Sequence, residues 1–449
     1  MSASASSGGL EDFLTLEGCE AAGARAYEMV RELYPICRSI TGAGVRQTLS
    51  LVEKRIPLER FEIPSGTPVF DWEVPLEWNI RDAYVKAADG RRVVDFREHN
   101  LHVVSYSEPV RATMSLAALR PHLHSLPDAP DRIPYRTSYY RRNWGFCLRH
   151  RDLLELPEGD YEVCIDSDLQ PGSLTYAECF LPGRVAEEII VFTHVCHPSL
   201  ANDNASGIAV ACELAAALAR SPRKYGYRFV FSPGTIGAIT WLAKNESRVG
   251  RIAHGLVIGL LGDPGPLTYK KSARGDASVD RAAAHVVRTL DARSRLEDFS
   301  PYGYDERQFC SPGFNLPVGR LTRSANGAYP EYHSSDDNLS LVQPRYLAES
   351  LCAATRIFQA LDADERYVNT QPKCEAQLGK RGLYRATGGV SPSGREHALL
   401  WILNQSDGRR SLLDIAERAG MPFTVMRSAA DELLHAGLLR AAETRSEPS

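Results

Sequence analysis

Glu188-Ile189-Ile190-Val191-Phe192-Thr193-His194 runs directly into Val195-Cys196-His197-Pro198-Ser199-Leu200-Ala201-Asn202-Asp203-Asn204-Ala205-Ser206-Gly207. The first seven residues are apolar and β-branched and predict a strand. After a polar turn, residues 204–220 are rich in Ala, Val and Leu and predict a long helix. The alternation continues: 227–232 reads as a strand, 236–245 as a helix, 256–261 as a strand, 280–290 as a helix, and 346–361 as the last helix of this domain. Strands and helices alternating at these lengths imply an α/β sheet covered by helices on both faces.

The flanks differ in texture. Residues 21–34 and 47–54 carry apolar side chains at helical spacing. Between 61 and 183, short β-rich runs such as Leu101-His102-Val103-Val104-Ser105-Tyr106 alternate with Pro/Gly/Asp turns, and Trp72, Trp78 and Trp144 lie there. This reads as a small β-rich module inserted into or beside the main domain. Residues 371–393 look like a linker or wing. Helical runs at 397–404, 412–419 and 424–435, with Gly420-Met421-Pro422 as a turn, have a helix-turn-helix rhythm that predicts a winged module. Its would-be recognition helix sets Arg427 against Asp431 and Glu432, so it lacks the basic footprint of phosphate contact. Docking between domains, or between subunits of a homo-oligomer, is the expected use, and nucleic acid is not an expected partner.

Composition excludes several classes. A net charge of -4 gives no general attraction to nucleic acid or anionic membranes. No apolar run approaches the roughly 20 residues of a membrane span. Residues 1–9 have neither the basic nor the apolar region of a signal peptide. The ten cysteines form no C-x-x-C pair, and several sit in apolar runs, which suggests buried free thiols and a cytoplasmic location.

The chemistry gathers near His194, His197, Asp203 and, in Glu331-Tyr332-His333-Ser334-Ser335-Asp336-Asp337, His333. Imidazole nitrogens and a carboxylate oxygen suit Zn2+, and two His with one acid leave a position open for water or substrate. Asp203 precedes a helix, whose dipole favours its ionised form; the competing reading is that Asp203 and Asn204 merely cap that helix. Either His194 or His197 reaches Asp203; His197 is favoured, with His194 lining the pocket or binding as well, and Cys196 is a weaker ligand candidate. In the polar segment from Tyr302 to Gly313, Asp305 or Glu306 is a further ligand or a general base, and Arg307 a holder of a substrate carboxylate. Arg274, Arg323, Arg141 and Arg142 are further anion-binding candidates.

These segments resemble the zinc aminopeptidase superfamily that includes leucyl aminopeptidases and glutamate carboxypeptidases. Asn202-Asp203-Asn204-Ala205-Ser206-Gly207 matches its Asn-Asp-x-x-Ser-Gly motif, and Glu331-Tyr332-His333 matches its late metal histidine. More closely, the chain is similar from Leu33 to Leu439 to a bacterial group of aminopeptidase-like domain proteins with an inserted β domain and a C-terminal winged helix. Phe229-Val230-Phe231-Ser232-Pro233-Gly234-Thr235-Ile236-Gly237 and Tyr304-Asp305-Glu306-Arg307-Gln308-Phe309 look like that group's motifs. The resemblance implies a zinc-exopeptidase-like central mixed sheet covered by helices. The α/β domain would comprise residues 10–66 and 167–368, the inserted β-rich domain 67–166 and the winged-helix module 372–445. One departure matters: where the peptidases carry Glu-Glu, acting as base and metal ligand, this chain has Gly234-Thr235.

The expectation is therefore one zinc held by His197, Asp203 and His333 with His194 beside them. Glu306 or Glu331 would stand in as base, with Arg307, Arg274 and Tyr304 on the substrate. Such a site would hydrolyse an amide bond in a small peptide or aminoacyl conjugate. Loss of the Glu pair also fits a non-catalytic ligand sensor signalling through the winged helix. A third reading is a zinc-assisted cyclisation or transfer.

Overall fold

The computed structural model describes residues 9–383 and 394–442. At its centre is an eight-stranded mixed sheet. The strands are β1 (Glu59–Pro64), β2 (Ser173–Leu181), β3 (Glu188–His194), β4 (Gly226–Ser232), β5 (Ile252–Ile258), β6 (Thr268–Lys270), β7 (Arg295–Glu297) and β8 (Val318–Thr322). In space they run β1-β2-β4-β3-β5-β8-β6-β7. The inner group β4, β3, β5 and β8 is parallel, while β1, β2 and β4 pair antiparallel and β6 pairs antiparallel with β8. Alternate residues of β3 enter different cores: Ile189 and Val191 on one face, Ile190 and Phe192 on the other. A strand buried on both sides has no polar face, which is why it reads as a continuous apolar run.

The first face is covered by α1 (Leu16–Leu33), α2 (Ala43–Glu53), α3 (Gly207–Leu218), α5 (Ser278–Leu290) and α6 (Pro344–Ala363); the second carries α4 (Ile236–Asn245). Two expected elements are displaced for one shared reason. The helix expected at 204–220 starts only at Gly207, because Asp203 (φ -108, ψ 80) and Asn204 (φ -143, ψ 29) are not helical and their side chains have other partners. The strand expected at 256–261 stops at Ile258. Beyond it the amides leave the ladder: Leu260 donates to Asn204 Oδ1 at 3.2 Å, Leu261 to Ser206 Oγ at 2.9 Å and Gly262 to Asn202 Oδ1 at 2.9 Å. The motif's polar side chains thus tie the ends of β3 and β5 together.

Between β1 and β2 the chain builds a separate four-stranded antiparallel sheet from Arg92–Asp95, Glu77–Ala87, Asp160–Gln170 and Val110–Ser115. Asp160–Gln170 pairs with Glu77–Ala87 as far as Gln170, so this sheet ends there and not at 166. Its core, with Trp78, Val85 and Val163, is continuous with that under α4.

At the other end lie α7 (Gly394–Gln405), α8 (Leu412–Ala419) and α9 (Phe423–His435), with a sheet of Asp407–Ser411, Arg366–Asn369 and Leu439–Ala441. Arg366–Asn369, placed by sequence in the α/β domain, is the middle strand of this sheet; the winged module therefore begins before 372, and residues 384–393 and 443–445 of that expectation lie outside the described residues. Helix α9 packs on α6, and its Arg427 is bonded to Asp431 and to the Tyr367 hydroxyl. Arg281 of α5 pairs with Asp414 (2.7 Å) and Glu417 of α8. No helix among the described residues is long and apolar enough to cross a membrane.

Asn204 Nδ2 donates to Thr193 Oγ1 (2.8 Å) and to the His194 carbonyl (3.0 Å). Asn204→Ala removes these and the Leu260 contact from buried ground. It is expected to cost about 2–4 kcal/mol in chemical denaturation; a loss under about 1 kcal/mol would show that this side chain does not hold the strand ends together.

Candidate metal centre

Three imidazoles converge on the Asp203 carboxylate. His194 Nε2, at the end of β3, lies 2.8 Å from Oδ1, and His333 Nε2 lies 3.1 Å from Oδ2. His197 Nε2 is 4.0 Å from Oδ2. One ligand atom from each of His194, His197 and Asp203 can be chosen so that all lie within 4.8 Å of one another. The capping alternative for Asp203 fails, since its oxygens face imidazoles and α3 has no side-chain cap. Asp203, His194 and His197 are 1%, 2% and 6% exposed, whereas about a third of the His333 side chain is open, so the cluster faces solvent on that side. Tyr332 stacks on His333 at 3.8 Å, and the Tyr135 ring sits 5.1 Å from the rings of both His197 and His333.

The protonation states suit a cation. Burial alone would raise the Asp203 carboxyl, but His197, His194 and His333 outweigh it and hold the group well below the usual range. Burial pushes His194 down and His197 down to about 3, so both rings are neutral. Neutral imidazoles beside an ionised carboxylate are the state in which such residues ligate a metal. His194 Nδ1 is buried and has no hydrogen-bond partner. A nitrogen and oxygen donor set of this kind fits zinc.

Asp337 welds the two ligand segments together. Its Oδ1 accepts the Asn202 amide at 2.6 Å; its Oδ2 accepts the Asp203 amide at 3.0 Å and the Tyr329 hydroxyl at 3.1 Å; its carbonyl accepts the Ala201 amide at 3.0 Å. Burial, with the Asp203 charge nearby, raises Asp337 to about 7. The His333 loop is held from its other side by the inserted module. Tyr135 donates its amide to the His333 carbonyl at 2.8 Å, Ile133 and Ser335 exchange hydrogen bonds, and Arg132 pairs with Asp336 at 2.7 Å.

The absent Glu pair has a spatial replacement. A β-carbon built on Gly234 would lie 2.1 Å from the Tyr304 hydroxyl oxygen, so that phenol fills the room of a side chain there. The Tyr304 ring packs 4.1 Å from His194, and its hydroxyl lies 3.7 Å from Cys196 Sγ. Thr235 has a positive φ of 60, costly for a β-branched residue, and its amide donates to Asp305 Oδ1 at 2.7 Å. Asp305 is fully buried, its Oδ2 has no partner, and burial raises its carboxyl to about 8.

Other sequence candidates fall elsewhere. Glu306 is committed inside the protein: Oε1 accepts from Lys270 Nζ at 2.9 Å, and the Tyr304 amide donates to Oε2 at 3.1 Å. Both carboxylate oxygens are thus occupied by partners within the protein, which counts against the role of base expected from sequence. Glu331 is half-buried two residues before His333, and its carbonyl accepts the Ser334 hydroxyl at 2.8 Å. Arg274 is exposed and donates to the Asn315 carbonyl at 2.9 Å; Arg323 is buried against Glu349. Arg307 is half-buried with its Nε unpartnered, and Arg141 and Arg142 are exposed. Asp337, Tyr135 and Arg38 escaped notice because their importance lies in contacts across 62 to 198 residues of chain; the one local sign was a charged Arg38 inside Ile36-Cys37-Arg38-Ser39-Ile40.

Comparison with known proteins agrees with this architecture. A family described as a domain of unknown function (DUF4910) matches residues 27–364, and a winged helix-turn-helix family matches residues 365–441. A Clostridium acetobutylicum protein, provisionally named as a polysaccharide biosynthesis protein with an aminopeptidase-like domain, is 50% identical over 419 residues, covering 93% of this chain and 96% of its own. A crystal structure from Clostridium acetobutylicum, provisionally described as a peptidase, superposes with a TM-score of 0.90 at 48% identity, covering 95% of this chain and 98% of that one. A zinc aminopeptidase from Bacillus subtilis shares the fold at TM-score 0.56 and 13% identity, over 76% of this chain and 95% of that one. The chain belongs to the DUF4910 family, an aminopeptidase-like fold joined to a C-terminal winged helix.

Proposed function

We propose that this protein is a zinc-dependent hydrolase of an amide bond in a small peptide or aminoacyl conjugate, with its metal held by Asp203 and the histidines around it. The observation that carries the reading is the convergence of His194, His197 and His333 on one buried, ionised carboxylate. When bound, zinc supplies a Lewis acid that polarises a scissile carbonyl and makes water nucleophilic near neutral pH. The provisional name of the Clostridium relative widens the substrates worth testing to acylated amino sugars.

The chain's own groups have distinct work. Asp305 replaces Glu306 and Glu331 as the favoured proton carrier: its Oδ2 is unpartnered, and its pKa of about 8 suits exchange near neutrality. It would take a proton from the attacking water and return it to the leaving amine. Burial keeps the Tyr304 hydroxyl protonated, so it is a donor available to a developing oxyanion. Tyr135 and Tyr332 flank the open His333 side and exclude water once substrate is seated. Asp337 holds Asp203 in place through two backbone amides.

Purified protein is expected to contain zinc. Chelation, Asp203→Ala or His333→Ala should remove it together with turnover of dipeptides, aminoacyl amides or N-acyl amino sugars; turnover that survives both chelation and His333→Ala refutes the reading. A base must be ionised, so turnover should rise with pH through about 8 and be lost below it. Asp305→Asn should lower turnover about 10²–10⁴-fold and flatten that profile; an unchanged pH profile assigns the proton to another group. Asp337→Asn forces an amide NH2 against a backbone N–H and should weaken zinc affinity about 10–100-fold in chelator competition; an unchanged affinity means the weld is dispensable.

A further inference from the structure

Four arginines are buried among the described residues: Arg38, Arg228, Arg320 and Arg323. Three of them have acidic partners. Arg228 pairs with Glu178 and Glu188, Arg320 with Glu297 and Glu306, and Arg323 with Glu349. Arg38 differs. It is 1% exposed, its Nε donates to the His197 carbonyl at 2.8 Å and its Nη1 to the Leu33 carbonyl at 2.7 Å, and its Nη2 has no partner. A buried guanidinium with no counter-charge is costly, and its remaining donor calls for an anion.

Its surroundings describe the anion. The titratable groups beside it are Cys196, Cys37 and Tyr135, all kept uncharged by burial. The Tyr135 and Tyr139 hydroxyls lie 3.0 Å apart, Ser39 Oγ and Ser105 Oγ also lie 3.0 Å apart, and both serines neighbour the Tyr139 hydroxyl. Tyr135 and Tyr139 are half-buried over buried Arg38, Ser39 and Ser105, and Tyr135 connects this hydroxyl-lined wall to the rings of His197 and His333. The wall offers neutral O–H groups, the spare Nη2 NH2 of the guanidinium and no carboxylate. A free amino terminus would need an acid here; the one ionised acid of the cluster, Asp203, already faces three imidazoles. A planar, acceptor-only group is the match.

We propose that Arg38 Nη2 and the Tyr135 hydroxyl form a subsite for a carboxylate of the substrate, directly beside the metal cluster. The amide that is cut therefore carries its negative charge close to the scissile bond, and the amidohydrolase acts on acidic conjugates, not on free amino termini. This rests on the proposed hydrolase reading for the meaning of the subsite, though not for its detection.

The test uses the full-length protein and two probes of nearly equal shape, N-acetylglycine and neutral N-acetylglycinamide, with inorganic phosphate as a third. Affinities are measured by calorimetry on zinc-loaded and chelator-treated protein, alongside zinc content and melting temperature. Wild type should bind the acid about ten-fold or more tightly than the amide with or without zinc. Arg38→Met should bring that ratio near one while zinc content is retained. A preference that persists in Arg38→Met, equal or no binding of the two probes by wild type, or tighter binding of phosphate than of the acid each overturns the carboxylate subsite. Should Arg38→Met not fold, Tyr135→Phe decides: the ratio should fall about three-fold or more, and an unchanged ratio overturns the proposal. Wild type that holds no zinc yet shows the Arg38-dependent preference would refute the hydrolase reading and leave the subsite standing.

Discussion

A carboxylate that is 1% exposed can stay ionised only if its surroundings replace the water it has lost, and at Asp203 they do so with imidazoles. Much of the molecule's organisation follows from that requirement. His194 must sit at the end of β3, where an open parallel sheet directs its functional residues. His197 must turn back in the loop. His333 must arrive from 130 residues further along the chain. The polar residues around Asp203 are occupied with keeping this geometry: Asn202, Asn204 and Ser206 spend hydrogen bonds on the loop after β5, and Asp337 clamps the backbone that leads into the carboxylate.

The inserted module takes part in this support. Residues 132–135 pair with the 333–336 loop, so the position of His333 is set jointly by the core and the insert. The same segment contributes Tyr135, which lies against two of the histidines. A change in the insert would therefore be felt at the cluster through a short, hydrogen-bonded path. The winged helix stands apart from this arrangement. Its α9 is applied to α6, its Arg427 is paired locally with Asp431, and its Asp414 and Glu417 pair with Arg281 of α5.

Gly234-Thr235 marks how this chain departs from the two-glutamate arrangement, and the departure is filled, not empty. Tyr304 occupies the room of a side chain at 234, and Asp305 bonds the amide at 235. A phenol and a buried acid near pKa 8 have replaced two ionised carboxylates. The site loses negative charge, and Arg38 adds a cation with no counter-ion. On the proposed reading, such a field suits an anionic substrate better than an ammonium group.

The sequence alone determined the α/β alternation, because strands buried on both faces must be continuously apolar and the helices between them amphipathic. It also determined the identity of the cluster, since His194, His197, Asp203 and the distant His333 stand out by residue type and by motif. Element ends were less legible: the starts of α3 and the end of β5 are set by Asn202, Asn204 and Ser206 reaching across to each other's backbone, contacts that periodicity does not encode. Only the tertiary structure decided that Glu306 pairs with Lys270, that Tyr304 fills the room of a side chain at 234 while Asp305 accepts the Thr235 amide, and that Arg38 lies beside His197. The reason is common to all three: whether a charged side chain is free or spent depends on partners brought from 36 to 159 residues away, and burial, which fixes its protonation, exists only once those partners have packed.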